Sequence, residues 1–278
     1  MTRILSLGPL HHALGTRTLV MGILNVTPDS FSDGGLHDAP ERALRHARAM
    51  IEEGADIIDV GGESTRPGAT EVAAQEECDR VLPVLDLLAP LGAVVSIDTY
   101  KADVAAAALA RGAHVVNDVC GLQRDPGMAD VVAQAGVPVV VMHVRREVDP
   151  EIDIVDDIHR SFERSLEIAS AAGIPSERVI LDPGLGFGKT MAQNHVILRE
   201  FKAFRRHGCA LFAGASRKRF IGALTGRADA EDRMAGSLAA HVLAVAGGAD
   251  IVRVHDVREH VDAVRVADAV VRGTGDQQ

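Results

Sequence analysis

Four polar residues end apolar runs in this chain: Asp98 after Val94-Val95-Ser96-Ile97, Asn117 after Val115-Val116, Asp182 after Val179-Ile180-Leu181, and Lys218 just beyond Leu211-Phe212-Ala213. Carboxyl and amide groups at the ends of buried strands need hydrogen-bond partners. A heterocycle rich in ring N–H and amino donors would satisfy them, and Lys218 would offer a donor to a ring carbonyl oxygen. A polar layer that satisfies itself is the competing reading. Arg66, Arg253 and His255 form a second constellation, since two guanidinium groups and an imidazole on one rim suit a phosphate or pyrophosphate. Asp118 and Asp256 also follow strand-like runs, and each is read as a helix N-cap.

Other familiar patterns fail on spacing. In Gly184-Leu185-Gly186-Phe187-Gly188-Lys189-Thr190, a phosphate-cradling loop would need glycine five residues before Gly188, where Pro183 stands. A dinucleotide fingerprint fails because Gly188 comes one residue too soon. The 12 histidines show no zinc spacing, so no protein-caged transition metal is expected.

The elements that must position these groups alternate along nearly the whole chain. Strand-like runs are read at 19–24, 57–60, 94–97, 115–117, 137–142, 179–181, 211–213 and 251–254. Helix-like stretches lie near 39–53, 74–89, 101–111, 127–135, 152–172, 192–206, 230–246 and 256–271. Glycines 54, 112, 136, 173, 208 and 248 stop a helix before the next strand, where a left-handed cap is cheap only for glycine. Eight such units without a compositional break predict one α/β domain, a closed (β/α)8 TIM barrel over 18–272. An open doubly wound sheet is the alternative. Residues 1–17 are read as a hairpin extension, with Arg3–Leu7 pairing Thr16–Val20 under the barrel, and 273–278 as a disordered tail. The polar clusters follow strands rather than precede them, so they meet at the C-terminal rim, where this fold builds active sites. That convergence points to an enzyme.

The totals agree. The 278 residues are 47% hydrophobic and 24% charged, which suffices for a large core. A formal net charge of −10 argues against a general affinity for nucleic acid. Cys78, Cys120 and Cys209 are odd in number and far apart, as reduced thiols of a cytoplasmic protein are. No apolar run reaches a membrane span, and the N-terminus lacks a signal pattern.

Taken together, Asn25-Val26-Thr27-Pro28-Asp29-Ser30-Phe31-Ser32-Asp33-Gly34-Gly35, Gly61 to Gly68, Ser96-Ile97-Asp98-Thr99, Asp182-Pro183-Gly184, Ser216-Arg217-Lys218 and Arg253-Val254-His255-Asp256 resemble the bacterial dihydropteroate synthase family, in that family's order, over about 18–271. The resemblance implies condensation of 6-hydroxymethyl-7,8-dihydropterin pyrophosphate with para-aminobenzoate. It also implies a homodimer and a sulfonamide target. By position, Asp98, Asn117, Asp182 and Lys218 would hold the pterin, with Met142 and Phe187 lining its pocket. Asn25 would take Mg²⁺ with the pyrophosphate, and Arg253 and His255 would contact the pyrophosphate. Phe31, Thr65, Arg66 and Pro67 would shape the para-aminobenzoate pocket alongside Ser216 and Lys218. Val144-Arg145-Arg146-Glu147 departs from the family's usual Met-Gln-Gly and bears on access to the pterin side. The alternatives are a pterin-dependent methyltransferase barrel, which has no use for a pyrophosphate clamp, and a catalytically silent pterin-binding paralogue.

Overall fold

Strands buried on both faces read as nearly continuous apolar runs, and eight such runs pair in parallel here. They are β3 (Leu19–Asn25), β4 (Ile57–Gly61), β5 (Val94–Asp98), β6 (Val115–Asp118), β7 (Val139–Met142), β8 (Val179–Asp182), β9 (Ala210–Ala213) and β10 (Ile251–Val254). In the computed structural model, which describes residues 3–27, 39–64 and 70–273, each pairs with the next in sequence and β10 returns to β3, closing a barrel. The open-sheet alternative is thereby excluded.

Helices α1 (Ala39–Glu52), α2 (Ala74–Leu88), α3 (Ala102–Ala110), α4 (Met128–Ala135), α5 (Ile154–Ala171), α6 (Met191–Arg199), α7 (Arg219–Thr225), α8 (Met234–Ala246) and α9 (Val257–Arg272) alternate with the strands. Two expectations differ in detail. The helix read near 192–206 breaks at Glu200 into α6 and a 3-10 turn over Phe201–His207. The stretch before α8 holds a separate short helix, α7, which the charged run Arg217-Lys218-Arg219 concealed. The six glycines read as helix stops all have positive φ.

Alternation along the strands sorts the core into two shells. Residues pointing out of the barrel, such as Val20, Leu24, Ile58, Val60, Ile97, Val116 and Leu181, pack against the helices. Residues pointing in form a lower plug of Leu19, Met21, Ile57, Val94, Val115, Val140, Ile180, Phe212 and Ile251, and Leu5 and Leu7 join it from below.

Those two leucines belong to β1 (Ile4–Leu7), which pairs antiparallel with β2 (Leu10–Ala13). The expected partner, Thr16–Val20, is therefore wrong: Leu7 faces Leu10 across a two-residue Gly8-Pro9 turn. Gly8 at φ +57 followed by proline suits the first two central positions of a type II′ hairpin turn. Leu19 and Val20 are left to begin the barrel. Residues 274–278 lie outside the described residues.

Candidate active site

Above the apolar plug, the same inward alternation turns polar. Ile57 is followed two residues on by Asp59, Val94 by Ser96 and then Asp98, Val115 by Asn117, Val140 by Met142, Ile180 by Asp182, and Ile251 by Arg253. Strand register sets neighbours: Asp59 lies beside Ser96, Asp98 beside Asn117, and Met142 beside Asp182. The mouth is thus made of backbone positions that sheet pairing holds rigid.

Its centre is Arg253. The guanidinium donates through Nε to Asp59 Oδ2 and through Nη2 to Asp98 Oδ2, each at 2.6 Å. Asn117 Nδ2 also donates to Asp59 Oδ2, at 3.0 Å. Asp59 is a residue of the mouth that the strand-end motifs did not include. Its signal was present: a lone acid in Ile57-Ile58-Asp59-Val60, at the inward parity of Ile57 and Gly61. Asp59 Oδ1, Asp98 Oδ1 and Ser96 Oγ are buried without a protein partner. Unmatched acceptors of this kind cost free energy until something donates to them.

Asp182 is buried on the other side, with Oδ1 accepting from Gly184 N–H at 2.8 Å. Lys218 lies with its ammonium 3.8 Å from the centre of the Phe187 ring, a cation–π contact. Ser216 Oγ bonds His255 Nδ1 at 2.9 Å and accepts from the His255 N–H at 3.1 Å, tying the segment after β9 to that after β10. Asn25 Oδ1 and Asp98 Oδ2 both lie within 3.7 Å of where a Cβ on Gly61 would stand, which places Asn25 at the same mouth.

Burial moves these groups toward neutrality. It raises the Asp98 carboxyl well above its ordinary value; Arg253 pulls it back, and Asp59 and Glu77 add to the rise. Asp182 is pushed up to about 6 by burial, against the Gly184 N–H and Lys218. Lys218 is lowered by burial to about 8, against Asp182. His255 is lowered to about 3 by burial and then by Arg253, so its imidazole is neutral near pH 7.

Neither expected helix cap makes a cap bond: the helix after Asp118, α4, has Gly127 at its N-cap position, and Asp256 stands at the N-cap position of α9 without bonding it. Asp118 does turn work, accepting from the N–H groups of Cys120 at 2.8 Å and Leu122 at 2.6 Å. Asp256 takes a two-pronged ion pair from Arg217, at 3.1 Å and 2.5 Å. That correction has a backbone cause. Arg217 stands at φ +57, unusual for a side-chain-bearing residue, and the Asp256 pair with a Ser237 Oγ bond to its N–H holds it there.

The structure therefore brings together Asn25, Asp98, Asn117, Met142, Asp182, Phe187, Ser216, Lys218, Arg253 and His255, and adds Asp59. Phe31, Thr65, Arg66 and Pro67 lie outside the described residues. Among the described residues no cluster of His, Cys, Asp and Glu could by itself hold a metal ion.

A (β/α)8 barrel whose mouth gathers buried carboxyl groups, a lysine and an arginine at the C-terminal ends of its strands has the form of an enzyme active site. Residues 21–255 match the model of a family described as pterin binding enzyme. The dihydropteroate synthase of Bacillus subtilis (strain 168) is 44% identical over 99% of this chain and 96% of its own length. That of Escherichia coli (strain K12) is 44% identical over 91% of each. The solved Xanthomonas albilineans dihydropteroate synthase with 4-aminobenzoic acid is 46% identical, superposes with a TM-score of 0.92, and is matched over 97% of this chain and 98% of its own. The chain belongs to the pterin binding enzyme family, among its dihydropteroate synthases.

One prediction comes from the buried carboxyl. Because Asp182 titrates near 6 when folded and near its ordinary 3.8 when unfolded, the native state binds the extra proton between those values. Wild-type stability from this group therefore falls as pH rises from 4 through 6. Asp182→Asn lacks that slope, so its melting temperature relative to wild type should be higher at pH 8 than at pH 4.5, by the equivalent of on the order of 1–3 kcal/mol. Parallel thermal melts across this range check it; a constant difference would contradict the assignment.

Proposed function

We propose that this chain, acting as a dihydropteroate synthase, seats the pterin of 6-hydroxymethyl-7,8-dihydropterin pyrophosphate against Asp98, Asn117 and Asp182. Lys218 donates to the ring carbonyl oxygen, and Met142 and Phe187 form the walls. The observation that carries this reading is the unmatched acceptor set, with Asp98 Oδ1 and Asp59 Oδ1 buried and unpartnered and the Asp182 carboxyl also buried. Ring N–H and amino groups are what such acceptors lack. Solved relatives hold compounds of the same kind: the Xanthomonas albilineans enzyme in complex with 7,8-dihydropteroate is 45% identical, with a TM-score of 0.87.

The reaction asks little nucleophilic help of the protein. The bond between the pterin methylene carbon and pyrophosphate oxygen breaks with its electron pair leaving on pyrophosphate. The aniline nitrogen of para-aminobenzoate then forms the new C–N bond and loses a proton to water. Asp98 and Asp182 hold the ring donors as positive charge spreads into the pterin, and Arg253 with neutral His255 receives the leaving anion. Ser216 and Lys218 border the second substrate. Sulfonamides would compete there, as a Yersinia pestis relative, 43% identical, is solved with a sulfonamide drug.

Mg²⁺ belongs to this reading. Asn25 offers a hard amide oxygen next to Asp98 at the end of β3. That suits an ion that keeps several waters and takes one or two protein oxygens together with substrate phosphates. When bound, it would neutralise charge on the pyrophosphate.

We further infer a cytoplasmic homodimer. The cysteines Cys78, Cys120 and Cys209 are all free, as fits a reducing compartment. No described helix is long and apolar enough to cross a membrane. Leu243 on α8 and Val266 and Val270 on α9 are large, apolar and exposed, and these helices pack side by side. An isologous two-fold contact would cover them.

Two expected outcomes test the reading. Purified protein supplied with the pterin pyrophosphate, para-aminobenzoate and Mg²⁺ should form dihydropteroate. In Asp182→Ala, pterin affinity should fall by tenfold or more, since a charge-assisted bond is worth roughly 1.5–3 kcal/mol; no product from well-folded protein would overturn the assignment. Sedimentation at micromolar concentration should give twice the 29.4 kDa monomer mass; a monomer would refute the dimer.

A further inference from the structure

The glycine-rich run 184–190 lacks the spacing of a phosphate-cradling loop, which leaves its lysine without an assigned task. Lys189 is only 8% exposed. Its ammonium donates to the carbonyl oxygens of Gly184 at 2.7 Å, Phe187 at 3.0 Å and His143 at 3.2 Å. Each of its N–H groups thus has an acceptor, and the acceptors come from two different rim segments. Gly184 and Phe187 follow β8, whereas His143 follows β7.

These segments approach more closely than any side chain would allow. A Cβ on Gly184 would stand 1.9 Å from His143 O, and one on Gly188 would stand 2.0 Å from Arg145 O. Both glycines also have positive φ, at 68° and 63°. Three carbonyl dipoles therefore converge on one buried point, an arrangement that repels itself unless a cation fills it.

Each tied residue leads directly to the pocket. The N–H of Gly184 holds Asp182 Oδ1, the Phe187 ring lies against Lys218, and His143 directly follows Met142. We propose that Lys189 is a positioning residue for pterin recognition, whose ammonium staples the segments after β7 and β8 so that Asp182, Phe187 and Met142 are held in place together. The proposal rests on the pterin reading of the mouth. The loop has other anchors, which should let a variant fold: Asn194 Oδ1 accepts from Gly186 N–H at 2.6 Å, and Thr190 with Gln193 forms a capping box at the start of α6.

The test uses full-length Lys189→Met, which keeps the apolar stem without donors, and Lys189→Gln, which keeps two neutral donors. Circular dichroism and thermal melts establish folding, and calorimetry then measures 6-hydroxymethylpterin and inorganic pyrophosphate separately. Pterin affinity should fall about tenfold or more in Lys189→Met, and less in Lys189→Gln, while pyrophosphate affinity stays within about twofold. In turnover, KM for the pterin substrate should rise while KM for para-aminobenzoate holds. Unchanged pterin affinity in a folded variant, an equal loss of both ligands, or failure of both variants to fold would overturn the positioning role. If the wild-type chain itself bound no pterin, the site reading would fail and the proposal with it.

Discussion

The site depends on one guanidinium held between two carboxylates inside a barrel. Arg253 bridges Asp59 on β4 and Asp98 on β5 from its own place on β10, and Asn117 on β6 shares Asp59. Four strands must therefore present their inward residues at the same height. A slip of one residue in any of them would send its polar group out among the helices. Removing the arginine would leave two buried acids facing each other, the kind of loss that costs several kcal/mol.

Such a mouth is poorly suited to stability and well suited to a ligand. Buried pairs seldom add net stability over apolar packing. Here Asp98 and Asp182 are raised, and Lys218 and His255 lowered, by burial first of all. In the proposed function, donors on a pterin and an anion beside Arg253 would reverse part of that cost. The apolar plug beneath, closed by Leu5 and Leu7, lets the barrel carry the strain.

Much of this was legible in the sequence because the barrel speaks in alternation. Runs such as Val179-Ile180-Leu181 read as strands without ambiguity, and the polar residues ending them fell where the fold needs them. What escaped reading was set by tertiary context. Asp59 sits inside its strand instead of at its end, so a search for strand-terminal groups passed over it. Asp256 looked like a cap, but its carboxylate is engaged by Arg217, whose left-handed backbone no sequence pattern announced. The hairpin was misplaced because Leu19-Val20 is as strand-like as Leu10–Ala13; the Gly8-Pro9 turn decides between them. Lys189 was judged against phosphate loops, and its real acceptors include a carbonyl 46 residues away in sequence.

The central claim is that burial moves Asp182 and Lys218 of the free site toward their neutral forms and that pterin binding draws both back toward their charged forms. Calorimetry of 6-hydroxymethylpterin binding in buffers of different ionisation enthalpy measures this as protons exchanged. With Asp182 near 6 in the free chain, binding at pH 6 should release a substantial fraction of a proton. With Lys218 near 8, the exchange should turn to uptake as pH approaches 8. Binding heats that do not depend on the buffer at either pH would contradict the account.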